Sequence, residues 1–475
     1  MRISSTARLC LIVFALGAVA ATVFAVVHDA ERSAIFHQVD YEEGNILNTA
    51  VRINQGLGPY PDPHSWPVVI NPYGPLPYYL TAIPVRLFGP RFGPARDLIV
   101  GMAVLCAIFI GLLVHQFTGS ALLGTGFGGL FLWHRMVDAW VPVLRIDFIA
   151  LALVLLGVYV FARWPNRWPL TALLLSLAIF TKFSFLAAPA ACFTFLLVGK
   201  QWKRAVQFAL AMCGLLALFF GTAILVTHGF AYDVFRTEGS PMVWANLPTF
   251  YHIVFDSNPL LMILGISALL YGIVRRQFEF PVLYGIFSLL TSATAAKVGS
   301  NMNHLFEFVA VLCILSGWLV GKALQGGRVL QVAAAGACVL MAAWSLTILP
   351  HLPPARPVPA CAPVYQWVAD QPSDRILSEN IGLLVVDHKT VWVSNPFAYK
   401  LLAESGKAPD TPLQQRIREQ WFDYIVLADD PHVPSTRWSP AVLRAIMDSY
   451  VPIGTTSCRD AFYIYGRPAT GAKKP

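Results

Sequence analysis

Apolar runs of membrane-span length recur from residue 8 to about residue 350, after which the pattern shortens and alternates. A helix needs roughly 20 apolar residues to cross a bilayer. Against that length the runs predict spans near 8–27, 95–116, 119–137, 144–162, 168–181, 183–198, 204–227, 258–275, 279–296, 304–322 and 328–350. About eleven helices follow, the pair around residue 182 being the shortest. Two further pieces have helical period without span length. Ile46, Leu47, Ala50 and Ile53 recur at helical spacing from Glu43 to a stop at Gly56. Leu76 to Phe88 is amphipathic and suits a helix lying in the membrane interface. Past residue 360, Arg375–Ser378, Thr390–Ser394 and Tyr424–Ala428 read as strands, and Pro396–Ser405, Pro412–Trp421 and Pro440–Tyr450 read as helices. The expected fold class is an α-helical polytopic membrane protein with a small C-terminal α/β domain. Its parts are a membrane region over 1–350, a stiff linker over 351–360 containing Pro353, Pro354, Pro357 and Pro359, and a soluble domain over 361–475.

Composition agrees: 56% of residues are hydrophobic and only 13% are charged, so lipid must serve as solvent for much of the surface. The net charge of +8 does not point to nucleic acid, because basic residues sit singly or in pairs between apolar runs. Arg2 and Arg8, Arg163 and Arg167, Lys200, Lys203 and Arg204, Arg275 and Arg276, and Lys322 and Arg328 all fall on one side of the membrane. The positive-inside rule makes that side cytoplasmic. The N-terminus is then cytoplasmic and the tail outside. The first span is longer than a signal-peptide core and reads as an uncleaved anchor. Residues 28–94 form a long outer loop. Cys361 and Cys458 bracket the outer domain, where an oxidising compartment allows them to pair; two separate thiols remain the alternative.

In so uncharged a chain the cluster Asp40-Tyr41-Glu42-Glu43-Gly44, beside the first span, stands out. Its three acids are candidates for proton transfer, and equally for capping a helix whose dipole favours negative charge there. Arg145 and Asp147 open the fourth span, where a charge costs about 2.5–3.5 kcal/mol unless it faces protein or a watery cavity. Lys182 and Lys297 lie outside, against the positive-inside bias, so a local anion accounts for them better than orientation does. Snorkelling or a surface ion pair is the bland alternative. Asn303, His304 and Glu307 share spacings compatible with one helical face. His37, His64 and His304 lack the spacing of a metal motif, and there is no phosphate-binding glycine loop or nucleophile elbow. Outward cations with outward acids suit a phosphate-bearing substrate. A transporter or flippase and a non-catalytic assembly protein are the competing classes; a transporter predicts charges at the midplane rather than at the outer rim.

Several segments together resemble the first outer loop of GT-C class glycosyltransferases: Asp40 to Gly44, Gly56-Leu57-Gly58-Pro59-Tyr60, Asn71-Pro72-Tyr73-Gly74-Pro75-Leu76-Pro77-Tyr78 and Leu87-Phe88-Gly89-Pro90. The bacterial branch akin to protein mannosyltransferases and to the lipid A aminoarabinose and galacturonic acid transferases is most similar. Glu42 stands where that branch often has glycine. Arg145-Ile146-Asp147, Thr181-Lys182 and Asn303-His304-Leu305-Phe306-Glu307 are similar to later landmarks. The resemblance implies transfer of a sugar from a polyprenyl-phosphate donor to a lipid, glycan or protein acceptor at the periplasmic face of a bacterial inner membrane. It implies Asp40 as general base with inversion, Glu43 as its partner, and Arg145, Lys182 and Lys297 on the donor phosphate. Glu42, Tyr73, Asp147, Asn303, His304 and Glu307 would support them. It implies no cofactor, and commits to no metal.

Overall fold

The computed structural model describes residues 3–237, 241–347, 359–458 and 461–468. Five helices are individually long and apolar enough to cross a membrane: Ser5–Ser33, Phe92–Thr118, Trp202–Val226, Met302–Ala323 (which opens with a 3₁₀ turn) and Arg328–Ser345. Helices Ala121–Leu132, Asp147–Arg163, Trp168–Thr181, Ala187–Val198, Pro259–Val274 and Phe280–Ser292 have 12 to 17 residues and complete the remaining predicted runs. Trp168–Thr181 has the bounds of its predicted run, and the other five are shorter than the apolar stretches from which they were read. Trp133 to Leu144 leaves the bundle in a short helix and turns, and Lys182 ends its helix in extended geometry. The integral membrane architecture rests on these apolar helices, whose surfaces leave Leu9, Leu16, Leu210, Leu225 and Val329 exposed.

Close helix approaches use small residues. Gly111, Gly124 and Gly128 bring Phe92–Thr118 and Ala121–Leu132 together, each leaving under 3.0 Å between a hypothetical Cβ and the facing backbone. At one end of the bundle the basic connections meet: Ser4 N donates to Gln331 (2.9 Å), Arg204 to Asn166 (3.2 Å) and Lys322 to Glu279 (2.7 Å). The first outer loop leaves from the opposite end. It begins after Ser33 and ends before Phe92, because both flanking helices run beyond their apolar stretches. It holds helices Tyr41–Asn54 and Leu76–Phe88.

The tail contains a four-stranded sheet of order β1-β2-β4-β3, with β1 Ile376–Ser378, β2 Tyr424–Leu427, β3 Val451–Ser457 and β4 Ala461–Gly466. β1 pairs with β2 in parallel; β4 is antiparallel to both β2 and β3. Helices Pro396–Glu404, Thr411–Arg418 and Pro440–Ser449 form where expected, each with proline in its first turn. The strand read at Thr390–Ser394 does not join the sheet. Its β-branched and aromatic residues pair with the first loop instead: Val68 N donates to Trp392 O (2.9 Å) and Ser394 N to Val68 O (3.0 Å). Cys361 and Cys458 are joined by a disulfide. Of the proline linker only Pro359 and Ala360 lie within the described residues.

Candidate active site

The acidic cluster owes its shape to a capping box. Asp40 has extended backbone geometry, and its carboxylate accepts from Glu42 N (3.1 Å). Glu43, three residues on, reaches back to Asp40 N (3.2 Å) and Val39 N (2.7 Å). Successive helical residues point about 100° apart, so the acids part company. Glu43 turns into the protein, is 0% exposed, and takes Arg96 Nε (2.8 Å) and Nη2 (2.7 Å) together with Leu144 N (2.8 Å). Burial pushes the Glu43 carboxyl up, but Arg96 and the backbone donors outweigh it and hold it below the usual range. Glu43 thus lies inside the protein against Arg96 and outside the cavity lining, away from where the catalytic part expected of it would be played.

Asp40 keeps 20% of its side chain exposed and pairs with Arg145 Nη1 at 3.0 Å. Burial raises its carboxyl pKa against the lowering influence of Arg145. The guanidinium of Arg145 also lies over the rings of Tyr41 (5.7 Å) and Trp140 (5.5 Å), which fixes its plane. Glu42, 1% exposed, faces a third way. Its two oxygens accept from Asn45 Nδ2 (2.9 Å) and Asn395 Nδ2 (3.1 Å), and burial lifts its pKa to about 7.

A cavity of about 230 Å³ opens beside this cluster. Tyr41, Glu42, Tyr73, Arg145, Lys182, Lys297, Asn303 and His304 line it, and Asn395, Phe397, Ala398 and Leu401 of the tail close one wall. Asp40 is not in the lining; it touches the cavity through Arg145. Lys182 pairs with Asp147, which also accepts from Asn303 Nδ2 (2.9 Å). The acids and cations of the site thus form two pairs, Asp40–Arg145 and Asp147–Lys182. The His304 ring contacts Thr294 Oγ1 (3.1 Å).

Glu307 is not brought in: it accepts from Tyr284 OH (2.9 Å) inside the bundle. Residues 302–305 form a 3₁₀ turn before the helix starts at Phe306, so the three-per-turn step breaks the face that regular α-helical spacing placed across Asn303, His304 and Glu307. Sequence reasoning missed Arg96, although a cation early in an apolar span is the same signal that singled out Arg145. It also missed Asn395, whose position before Pro396 betrays a helix cap but not its partner.

Two groupings of metal-ligand type occur among the described residues, His37 with Cys361 and Cys458, and His28 with Asp29 and Asp138. Neither lines the cavity, and the two cysteines of the first are oxidised.

The helical bundle with its long, helix-bearing outer loop, cation-lined cavity and small α/β tail bears out, at the level of the fold, the resemblance read in the sequence. Among solved structures, ArnT from Cupriavidus metallidurans in the apo state superposes with a TM-score of 0.63 at 13% identity, covering 96% of this chain and 99% of that one. The same protein bound to undecaprenyl phosphate gives 0.61 at 14% identity with the same coverage. The archaeal oligosaccharyltransferase AglB from Archaeoglobus fulgidus, in complex with an inhibitory peptide and a dolichol-phosphate, gives 0.57 at 12% identity, covering 96% of this chain and 75% of that one. No family profile and no curated protein matches the sequence.

Proposed function

We propose that the chain is a glycosyltransferase that moves a sugar from a polyprenyl-phosphate donor to a hydroxyl of a cell-envelope lipid, glycan or protein, at the outer face of a bacterial inner membrane. The observation that carries this reading is the cavity itself: Arg145, Lys182 and Lys297 around one space, with a carboxylate, Asp40, paired to the first of them. The ligands of two fold neighbours, undecaprenyl phosphate and dolichol-phosphate, support the donor class.

In this reading Asp40 takes the proton of the acceptor hydroxyl as its oxygen attacks the anomeric carbon. The bond from that carbon to the phosphate oxygen breaks, and the polyprenyl phosphate leaves with the electron pair, inverting the sugar. Charge grows on the leaving phosphate, where Arg145, Lys182 and Lys297 are placed to stabilise it. The ion pairs of Arg145 with Asp40 and of Lys182 with Asp147 hold these two cations in position before substrate arrives, so little reorganisation is needed at the reaction. The positive-inside bias and the disulfide favour an outer, oxidising location for the loop and tail.

The test is turnover by the full-length protein in lipid nanodiscs supplied with undecaprenyl-phosphate sugars and envelope lipids. Release of undecaprenyl phosphate with a product heavier by one sugar supports the reading. Substrate flux across a sealed bilayer with no covalent product overturns it. Mass analysis of envelope lipids and glycans from a strain lacking the chain would identify the sugar by what is missing.

A further inference from the structure

The tail touches the first loop at several points. Gly382 N donates to Gln38 Oε1 (2.7 Å), Gln38 N to Tyr365 OH (2.9 Å), and Ile70 N to Ser394 Oγ (3.0 Å). One further contact reaches the cavity: Asn395 Nδ2 donates to Glu42 Oε2 at 3.1 Å. The orientation of that amide is imposed by its own helix. Asn395 caps Pro396–Glu404, and its Oδ1 accepts from Ala398 N (3.0 Å), which leaves only the NH₂ to face Glu42. The same helix supplies Phe397, Ala398 and Leu401 to the cavity wall. Glu42 is fully buried in the protein yet opens on the cavity, and two neutral amides donate to its carboxylate, one from its own helix and one from the tail.

We propose that Asn395 is a positioning residue for the transfer reaction, through which the C-terminal domain keeps Glu42 ionised and turned to accept a hydrogen bond from a substrate hydroxyl. The inference rests on the transferase reading above and deepens it by making the tail a working part of the site. Donors to a carboxylate favour its charged form, and burial opposes them. Arg145 adds attraction; Asp40 repels; Tyr41, Tyr73 and Tyr78 are the other titratable groups facing Glu42. In a balance so close, losing one donor converts the acid to its neutral form near pH 7, and a neutral acid no longer accepts as strongly.

Asn395→Asp keeps the cap, since aspartate serves equally well there, but sets an acid against Glu42 in place of a donor. The experiment is pH-difference infrared spectroscopy of the full-length protein in nanodiscs, with the Glu42 carboxyl band assigned by its loss in Glu42→Gln, alongside the pH profile of donor turnover. Asn395→Asp is expected to move the Glu42 midpoint up by about one unit or more and to lower turnover at pH 7 about fivefold or more, with recovery at higher pH. In a Glu42→Gln background the Asn395 change should add nothing to the turnover loss. An unmoved midpoint, or an equal loss with Glu42 already replaced, overturns the proposal. Absence of turnover by the unmodified protein on every polyprenyl-phosphate sugar would defeat the transferase reading instead, while the infrared midpoint still decides whether Asn395 holds Glu42 ionised.

Discussion

Three neighbouring acids meet three different sets of partners because the capping box sets the helix phase, and the phase aims each side chain. Asp40 is the partly exposed carboxylate paired with a cavity cation. Asp40→Asn keeps the shape and the cap but removes the basic electron pair; the expected result is a fall in turnover of about 10²–10⁴-fold, the usual contribution of a general base, with folding intact by melting temperature. Glu43 answers to Arg96 in a fully buried pair. Removing only the cation, as in Arg96→Ala, strands that carboxylate, and a loss of about 3–5 kcal/mol is expected in denaturant titration in detergent. Partial recovery on adding Glu43→Gln would identify the stranded charge as the cause. Proximity in sequence made these acids look alike. What separated them were partners from distant segments, Arg145 from 105 positions away and Arg96 from 53.

Among elements, the two loop helices were legible because their determinants are local: the cap, apolar spacing and a glycine or proline at the end. Leu76–Phe88 forms with the boundaries that its pattern marks. The Thr390–Ser394 segment was misread because β-propensity says only that a residue suits an extended ladder, not which ladder it joins. Its partner, Val68, lies in the first loop. The connection after Asn71 shows similar dependence on context. Gly74 lies so near the end of Trp168–Thr181 that an added Cβ would collide with the Phe180 carbonyl. Gly74→Ala should therefore displace Tyr73 from the cavity wall, lowering the melting temperature by several degrees and weakening undecaprenyl phosphate binding, measured by calorimetry in nanodiscs.

For the whole molecule, pH offers a test of how burial and pairing combine. Glu42 and, in the tail, Glu379 are both raised by burial from an ordinary 4.5 to about 7. An acid raised in the folded state binds its proton more tightly there than in the unfolded chain. The stability it contributes is complete below pH 4.5 and is lost as pH rises through about 7. Glu43, held low by Arg96, works the other way and contributes above its ordinary value. Between pH 6.5 and 8 acids raised by burial should dominate, Asp40 among them, so the melting temperature should fall as pH rises, and Glu42→Gln should reduce that slope. The hydropathy of the chain alone determined a polytopic membrane protein with a soluble tail, because the cost of exposing polar backbone or charge to lipid leaves few alternatives. The bias of its basic connections likewise supplied an expected orientation, since charge asymmetry is written residue by residue. Only the tertiary structure decided which acid meets which cation, that Glu307 stays in the bundle, and that Asn395 closes the cavity from the tail. Those outcomes depend on contacts between segments up to 353 positions apart, and a pattern read along one chain contains no term for them.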